Sequence, residues 1–400
     1  MGKNISAIVA PGLHPPWTHG EAIVSRNIIV TLRSTKFFSG ESTLLVYSTI
    51  DKCRFNGTML KNVKYIETSN LTKHAVLAFK DLMAEIVERN YYGKVLLQLI
   101  GTKEYIWYLM SKILINPSTF KIHLVLYDLG EIPVRFKKIP HVMHLFIDSF
   151  IGKLITVSPL TYKVFGKYFK KMYYLPVPYV PPEELGNYDV VNSNSVDNTY
   201  KLGEYLNDQT YNIGYIGHLY ESRFPYNIVI KTLRKLINSG FRDVKLVIVA
   251  PKTEYNLKVS RIISYYVKRL DVERNVVVRV ENLKELHKHM LLSSFDVFLF
   301  TPIRQPVSMD PPISVLEAMA SGSVVISTKY MSVKHIIKDE INGLIVHDLN
   351  VDTLYEKIAN VLKHDTLKEY LSRNAKQYIL KRHYYKTVAP ILEKILVESL

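Results

Sequence analysis

The sequence predicts an α/β protein built from two doubly wound parallel-sheet domains that face each other. Short runs of Val, Ile, Leu and Tyr alternate with longer stretches of helical period, the alternation breaks once near the middle, and it then restarts. At 400 residues the chain also exceeds the roughly 100–200 residues that one core usually organises.

In the first half, strands are predicted at 5–10, 44–48, 63–67, 95–100, 123–127, 154–157 and 173–177, with amphipathic helical stretches such as 21–32 and 74–88 between them. From Pro178 to Gln209 the rhythm fails. Pro-Tyr-Val-Pro-Pro-Glu-Glu leads into an Asn-, Ser- and Asp-rich stretch without apolar period, which reads as a connection. Strands resume at 213–216, 244–250, 276–280, 297–300, 324–327 and 344–346. The predicted organisation is an N-terminal domain over 1–178, a linker over 179–210, a C-terminal domain over 211–378, and a last helix over 379–400 that packs back on the first domain. In open parallel sheets ligands sit beyond the carboxyl ends of strands, so the residues just after each strand are the ones to read for chemistry.

Composition narrows the class. Hydrophobic residues are 48% and charged residues 22%, as in globular proteins, and the net charge of +16 favours anionic partners: phosphorylated small molecules, an anionic membrane or nucleic acid. The single cysteine, Cys53, rules out an intrachain disulfide and any multi-cysteine zinc site. No His/Cys cluster has metal-ligand spacing, and neither a P-loop nor a Gly-x-Ser-x-Gly elbow occurs, so no metal or cofactor is expected. The Met-Gly-Lys-Asn start reads as the approach to a buried strand, and no apolar run reaches the ~20 residues of a membrane span. The expected location is cytoplasmic.

The stretch with most chemical content follows the strand at 297–300. A proline-rich loop from Thr301 to Pro312 runs into Ile313-Ser-Val-Leu-Glu-Ala-Met-Ala-Ser321, closes at Gly322 and returns to a strand. Backbone amides of Ile313 and Ser314 at that helix start, with the helix dipole behind them, suit an anion. Taken alone, Leu-Glu-Ala-Met-Ala is an ordinary loop–helix–strand crossover. The whole string, however, closely resembles the signature of the retaining GT-B glycosyltransferases of family 4, in which two glutamates separated by seven residues precede Ala-Met-Ala-x-Gly.

That resemblance implies the GT-B fold, two facing Rossmann-like domains with a cleft between them, and transfer of a sugar from a nucleotide diphosphate donor to a hydroxyl acceptor. It implies that Glu317 accepts hydrogen bonds from the donor ribose. The family's first glutamate falls on Met309, with Asp310 one place on as the candidate replacement. Upstream, Ile213-Gly-Tyr-Ile-Gly-His-Leu-Tyr-Glu-Ser-Arg223 resembles the strand-to-loop element that meets the diphosphate. Gly217 stands in the glycine place, His218 in the arginine's and Arg223 in the lysine's. Phe295-Asp296-Val and Asn342-Gly-Leu-Ile-Val resemble scaffold stretches.

In the first half, His19-Gly20 stands where the family has two glycines beside the diphosphate, and Leu126-Tyr-Asp-Leu-Gly130 resembles its His-Asp turn. The histidine place is Tyr127, and Asp128 keeps the acidic partner; both belong with Asp310 to the candidate catalytic set. In a retaining transfer the donor's own phosphate can deprotonate the acceptor, so a missing histidine is compatible with catalysis.

Between Arg135 and Lys171 eight basic residues meet one acid, Asp148, and aromatics interleave them. This is the pattern of a surface-bound amphipathic segment, with a lipid-linked or cell-envelope acceptor as its functional reading and a solvated scaffold face as the plain one. Two further classes stay open: a GT-B scaffold without catalysis that serves as a binding or regulatory partner, prompted by Met309 and Tyr127, and, less favoured, nucleic-acid binding through the basic surface.

Overall fold

A computed structural model describes residues 7–9, 20–35, 45–50, 63–67, 94–100, 120–126, 153–167, 171–185, 211–304, 309–330 and 333–397. The chain divides into two compact units, Met1–Asn194 with Arg382–Leu400, and Ser195–Lys381.

The first unit carries a seven-stranded parallel sheet: β1 (Ala7–Val9), β2 (Leu45–Ile50), β3 (Val63–Glu67), β4 (Lys94–Ile100), β5 (Phe120–Leu126), β6 (Lys153–Thr156) and β7 (Met172–Tyr174). Their spatial order is β3-β2-β1-β4-β5-β6-β7, so the order reverses between β1 and β4. The sequence places the last strand at 173–177, but β7 stops at Tyr174, where Pro176 and Pro178 supply no N–H for a ladder. Helix α1 (Gly20–Arg33) buries Ile23, Val24, Ile28, Val30 and Leu32. Helix α2 (Pro159–Phe165) starts at Ser158, whose hydroxyl accepts from the Thr161 N–H at 2.9 Å. The predicted helix at 74–88 lies outside the described residues.

A polar clasp ties the chain's last helix into this unit. Tyr179 N–H donates to the His383 carbonyl at 2.6 Å, and Tyr385 N–H returns to the Tyr179 carbonyl at 3.0 Å. Asn27 of α1 donates to the Pro178 carbonyl at 2.8 Å. In the short helix α3 (Pro182–Leu185), the Glu184 carboxylate takes both tyrosine hydroxyls, of Tyr384 and Tyr385, at 2.6 Å, and Lys386 Nζ at 2.8 Å. Burial pushes the Glu184 carboxyl up, but Lys386 and the two hydroxyls outweigh it and hold it below the usual range.

The second unit is a six-stranded parallel sheet in the order β10-β9-β8-β11-β12-β13. Its strands are β8 (Tyr211–Ile216), β9 (Val244–Ala250), β10 (Val276–Val280), β11 (Val297–Phe300), β12 (Val324–Thr328) and β13 (Leu344–Val346). Strands β11 and β12 are buried at every position, which requires helices on both faces and explains their unbroken Val/Ile/Leu/Phe runs. Helices α4 (Tyr226–Asn238), α5 (Glu254–Arg269) and α8 (Val351–Lys363) share one core with the sheet through Leu233, Ile263 and Ile358. Helices α6 (Glu285–Ser293) and α7 (Ile313–Ser321) pack on each other. The chain continues through α9 (Asp365–Arg382) and α10 (Tyr385–Val397), and α10 lies against α1.

Two local devices hold β8 beside β11. A Cβ on Gly214 would meet the Phe295 ring at 2.0 Å, so glycine leaves room for an aromatic wedge that a larger residue would displace. Asp296 accepts the Asn212 N–H at 2.8 Å and the Lys368 ammonium at 2.9 Å, which places this acid in the scaffold.

His383 is buried, and its Nδ1 donates to the Val177 carbonyl at 2.9 Å. Burial, with Arg382 adding to it and the Val177 bond opposing, lowers its pKa to about 4. The folded chain therefore resists a proton that the unfolded chain accepts at about 6.5. The stabilisation is complete above pH 6.5 and is lost as pH falls toward 4, by about 3 kcal/mol in all. Urea unfolding of the full chain followed from pH 7 to pH 4.5 is expected to show this decline, and His383→Gln to flatten it; a wild-type slope in the variant would contradict the assignment.

Candidate functional site

In the second unit the direction of strand order reverses between β8 and β11, and the loops leaving their carboxyl ends diverge to opposite faces of the sheet. All but three of the sequence-predicted site residues lie on those two loops and the helix α7 that follows β11. Ile303 N–H donates to the Ser222 carbonyl at 2.8 Å and ties the loops together.

The loop after β8 begins at Gly217, with φ of 158° and its N–H on the Val249 carbonyl at 3.0 Å. A Cβ here would approach the Tyr215 hydroxyl at 3.0 Å and an Arg223 terminal nitrogen at 3.3 Å, so glycine leaves space between them. Tyr215 is buried, stacks on Phe224 with ring centroids 4.0 Å apart, and donates to the His218 carbonyl at 2.5 Å. Burial, against the opposing pull of Arg223, pushes its pKa up to about 12, so the hydroxyl stays a donor at physiological pH. The His218 ring stacks on Tyr220 and its Nδ1 lies 3.3 Å from the Asn256 amide nitrogen. The Asn256 side chain accepts from Leu219 N–H and donates to the Pro251 carbonyl, which fixes the turn.

Arg223 lies half-buried with its guanidinium 5.9 Å from the Phe300 ring centroid. Its Nε is buried without a hydrogen-bond partner among the described residues, and so are Thr301 Oγ1 and Ser314 Oγ. A buried donor left unmatched costs about 1–3 kcal/mol, and these three belong to the loop after β8, the loop after β11 and the start of α7.

Helix α7 begins at Ile313 after Pro312, which offers no side-chain cap. The first amides of a helix have no partner within it, so those of Ile313 and Ser314 are directed outward at its positive end. Asp310 and Met309, just upstream, are both buried, with Asp310 fully so. Glu317 lies one turn into α7 with only 12% of its side chain exposed, and its Oε1 accepts from Lys288 Nζ at 2.7 Å. The same ammonium reaches Glu285 Oε1 at 3.1 Å. Below Glu317, the Ser321 hydroxyl donates to the Glu317 carbonyl at 2.9 Å and lies 3.0 Å from His289 Nδ1.

Gly20 opens α1 in the first unit, while Tyr127 and Asp128 follow β5 outside the described residues. Of the basic segment, Lys163, Lys167 and Lys171 are exposed in the first unit; Arg135, Lys137, Lys138 and Lys170 lie outside the described residues. Sequence reading missed Lys288 and Thr301. Lys288 lies in a helix with no motif of its own, and only the packing of α6 on α7 brings it to Glu317. Among the described residues no cluster of three or more His, Cys, Asp or Glu could hold a metal ion, and no helix is long and apolar enough to cross a membrane.

Residues 210–364 match the family model described as Glycosyl transferases group 1. Over 125 residues the chain is 30% identical to an uncharacterized glycosyltransferase of Methanocaldococcus jannaschii, covering 30% of this chain and 30% of that protein's length. A glycosyltransferase from Rickettsia africae superposes with a TM-score of 0.71 at 14% identity, over 100% of this chain and 99% of that one. HepE of Anabaena, solved with UDP and glucose, gives 0.68 at 13% identity, over 99% of this chain and 100% of its own. The fold is α/β and GT-B-like.

The end of α7 depends on Gly322, which sits at φ of 94°, a left-handed cap. An added Cβ would also meet Lys376 Cε at 2.3 Å, the flexible part of a side chain that can withdraw. Gly322→Ala is expected to cost about 1–2 kcal/mol, chiefly from the backbone, seen as a lower urea midpoint. An unchanged midpoint would contradict the cap geometry.

Proposed function

We propose that this chain, whose residues 210–364 match the model of glycosyl transferases group 1, transfers a sugar from a nucleotide diphosphate sugar to a hydroxyl acceptor with retention of configuration. The observation that carries the reading is the convergence at one sheet end of Gly217, Arg223, the open start of α7 and Glu317.

In this reading the donor diphosphate lies against the Gly217 backbone and the amides of Ile313 and Ser314. The Arg223 Nε and Ser314 Oγ, buried without a partner among the described residues, supply further hydrogen bonds to it. His218 assists at the same group. These positive elements stabilise the charge that builds on the departing nucleotide, where fixed donors in a partly dry site act more strongly than in water. Glu317 accepts from the ribose hydroxyls, since a carboxylate offers several lone pairs to a vicinal diol. Asp310 is the second unit's candidate at the reacting sugar, Tyr127 and Asp128 remain candidates from the sequence alone, and the donor phosphate takes the acceptor's proton. The HepE complex makes UDP-sugars the first donors to test. The exposed Tyr162, Lys163, Lys167 and Lys171 support an acceptor presented at an anionic membrane surface.

One observation favours a second reading, a GT-B scaffold that binds without transferring: Met309, buried in the place of the family's first glutamate, carries no charge for the sugar.

Calorimetric titration with UDP- and GDP-sugars is expected to give micromolar binding of one donor. Glu317→Ala and Arg223→Met should each weaken it at least tenfold, on the order of 1.4 kcal/mol or more. Binding followed by donor hydrolysis or transfer would support the enzyme over the scaffold. No binding by any donor would overturn the proposal.

A further inference from the structure

We infer that Lys288 sets the preference of this site for a ribonucleotide over a deoxyribonucleotide, by holding the Glu317 carboxylate in the position that reads the ribose. The inference rests on the donor reading above and adds to it a residue from outside the two loops.

Glu317 has three side-chain torsions, and an unanchored carboxylate at the end of such a chain samples several staggered arrangements. Here it is anchored from a different helix. Lys288 Nζ stands 2.7 Å from Glu317 Oε1, and the side chains of both residues are 12% exposed. So little contact with water means little screening, and a charge-assisted bond of this length is short and directional. The ammonium is itself also held by Glu285, three residues earlier on α6, at 3.1 Å. It is thereby fixed at two points and cannot swing toward solvent without breaking both.

The Lys288 contact is made to Oε1 of a carboxylate that has about four lone-pair positions on its two oxygens. The backbone beneath is also fixed, because Ser321 donates to the Glu317 carbonyl at 2.9 Å. A site that hydrogen-bonds a substrate hydroxyl from a fixed acceptor rejects the analogue lacking it far more strongly than one whose acceptor can turn away to water. Lys288 is thus a positioning residue: it does not touch the nucleotide in this account and acts through Glu317.

A bridge that merely fastens α6 to α7 would behave differently on removal. Its loss would lower stability and weaken every nucleotide by a similar factor, leaving the ratio between ribo and deoxy forms untouched. That ratio is therefore the readout. The full-length protein is titrated with UDP and 2′-deoxy-UDP, and with GDP and 2′-deoxy-GDP, as wild type, Glu317→Gln, Lys288→Met, Lys288→Arg and the double variant.

Wild type is expected to favour one ribonucleotide over its deoxy form by about tenfold or more. Glu317→Gln and Lys288→Met should each bring the ratio to within about threefold, the double variant should lose nothing further, and Lys288→Arg should keep most of it. Should Lys288→Met fail to fold, Glu285→Gln removes the charge from one of the two points that hold the ammonium, weakening it, and should give an intermediate ratio. A wild-type ratio in Lys288→Met, or in Glu285→Gln where that variant stands in, would overturn the inference while leaving the donor reading intact. Equal binding of ribo and deoxy forms by wild type would instead remove the ribose role of Glu317, and absence of nucleotide binding would remove the donor reading itself.

Discussion

Strands β8 and β11 lie side by side and send their chains to opposite faces of the sheet, and the rest of the candidate site depends on that divergence. Parallel strands need crossovers, and right-handed crossovers built outward in both directions from one pair leave a gap at its carboxyl end. The pair is held close by a contact that only glycine permits, the Phe295 ring against Gly214, and by Asp296 reaching across to the Asn212 amide. Once the pair is fixed, so are the origins of the Gly217 loop and of the loop leading to α7.

The charge arrangement follows the same frame. Arg223 is on one loop and the positive end of α7 on the other, so the sheet end offers fixed donors from both sides. Tyr215 is the hinge of the first loop: its buried hydroxyl, kept protonated by burial, fastens the His218 carbonyl and neighbours Arg223. The carboxylate of Glu317 is set deeper along α7 and is partnered by Lys288. The open amides at the start of α7 and the Glu317 carboxylate therefore lie about one turn apart along the same helix.

Much of this is legible in the sequence, for reasons particular residues show. The strands at 244–250 and 324–327 are near-continuous apolar runs that only a sheet covered on both faces can bury, and their places, like that of the half-buried edge strand at 276–280, are found almost to the residue. The Leu316-Glu-Ala-Met-Ala-Ser-Gly322 string marks both the helix and its left-handed stop. What the sequence hides are pairings across distance. Nothing near Lys288 says that it meets Glu317, 29 positions later, because that depends on how two helices pack. Likewise Gly214 looks like a weak point in a strand until Phe295 is found against it. The clasp of Glu184 by Tyr384, Tyr385 and Lys386 joins residues about 200 positions apart, a separation no local pattern encodes.

The most direct measurement of the central claim is amide hydrogen exchange of the intact chain with and without UDP and GDP. The account predicts slower exchange confined in the second unit to the segments 213–223 and 301–321 with one of the two nucleotides, because those backbones meet the diphosphate and ribose. Protection elsewhere in that unit with these segments unchanged, or no protection with either nucleotide, would contradict it.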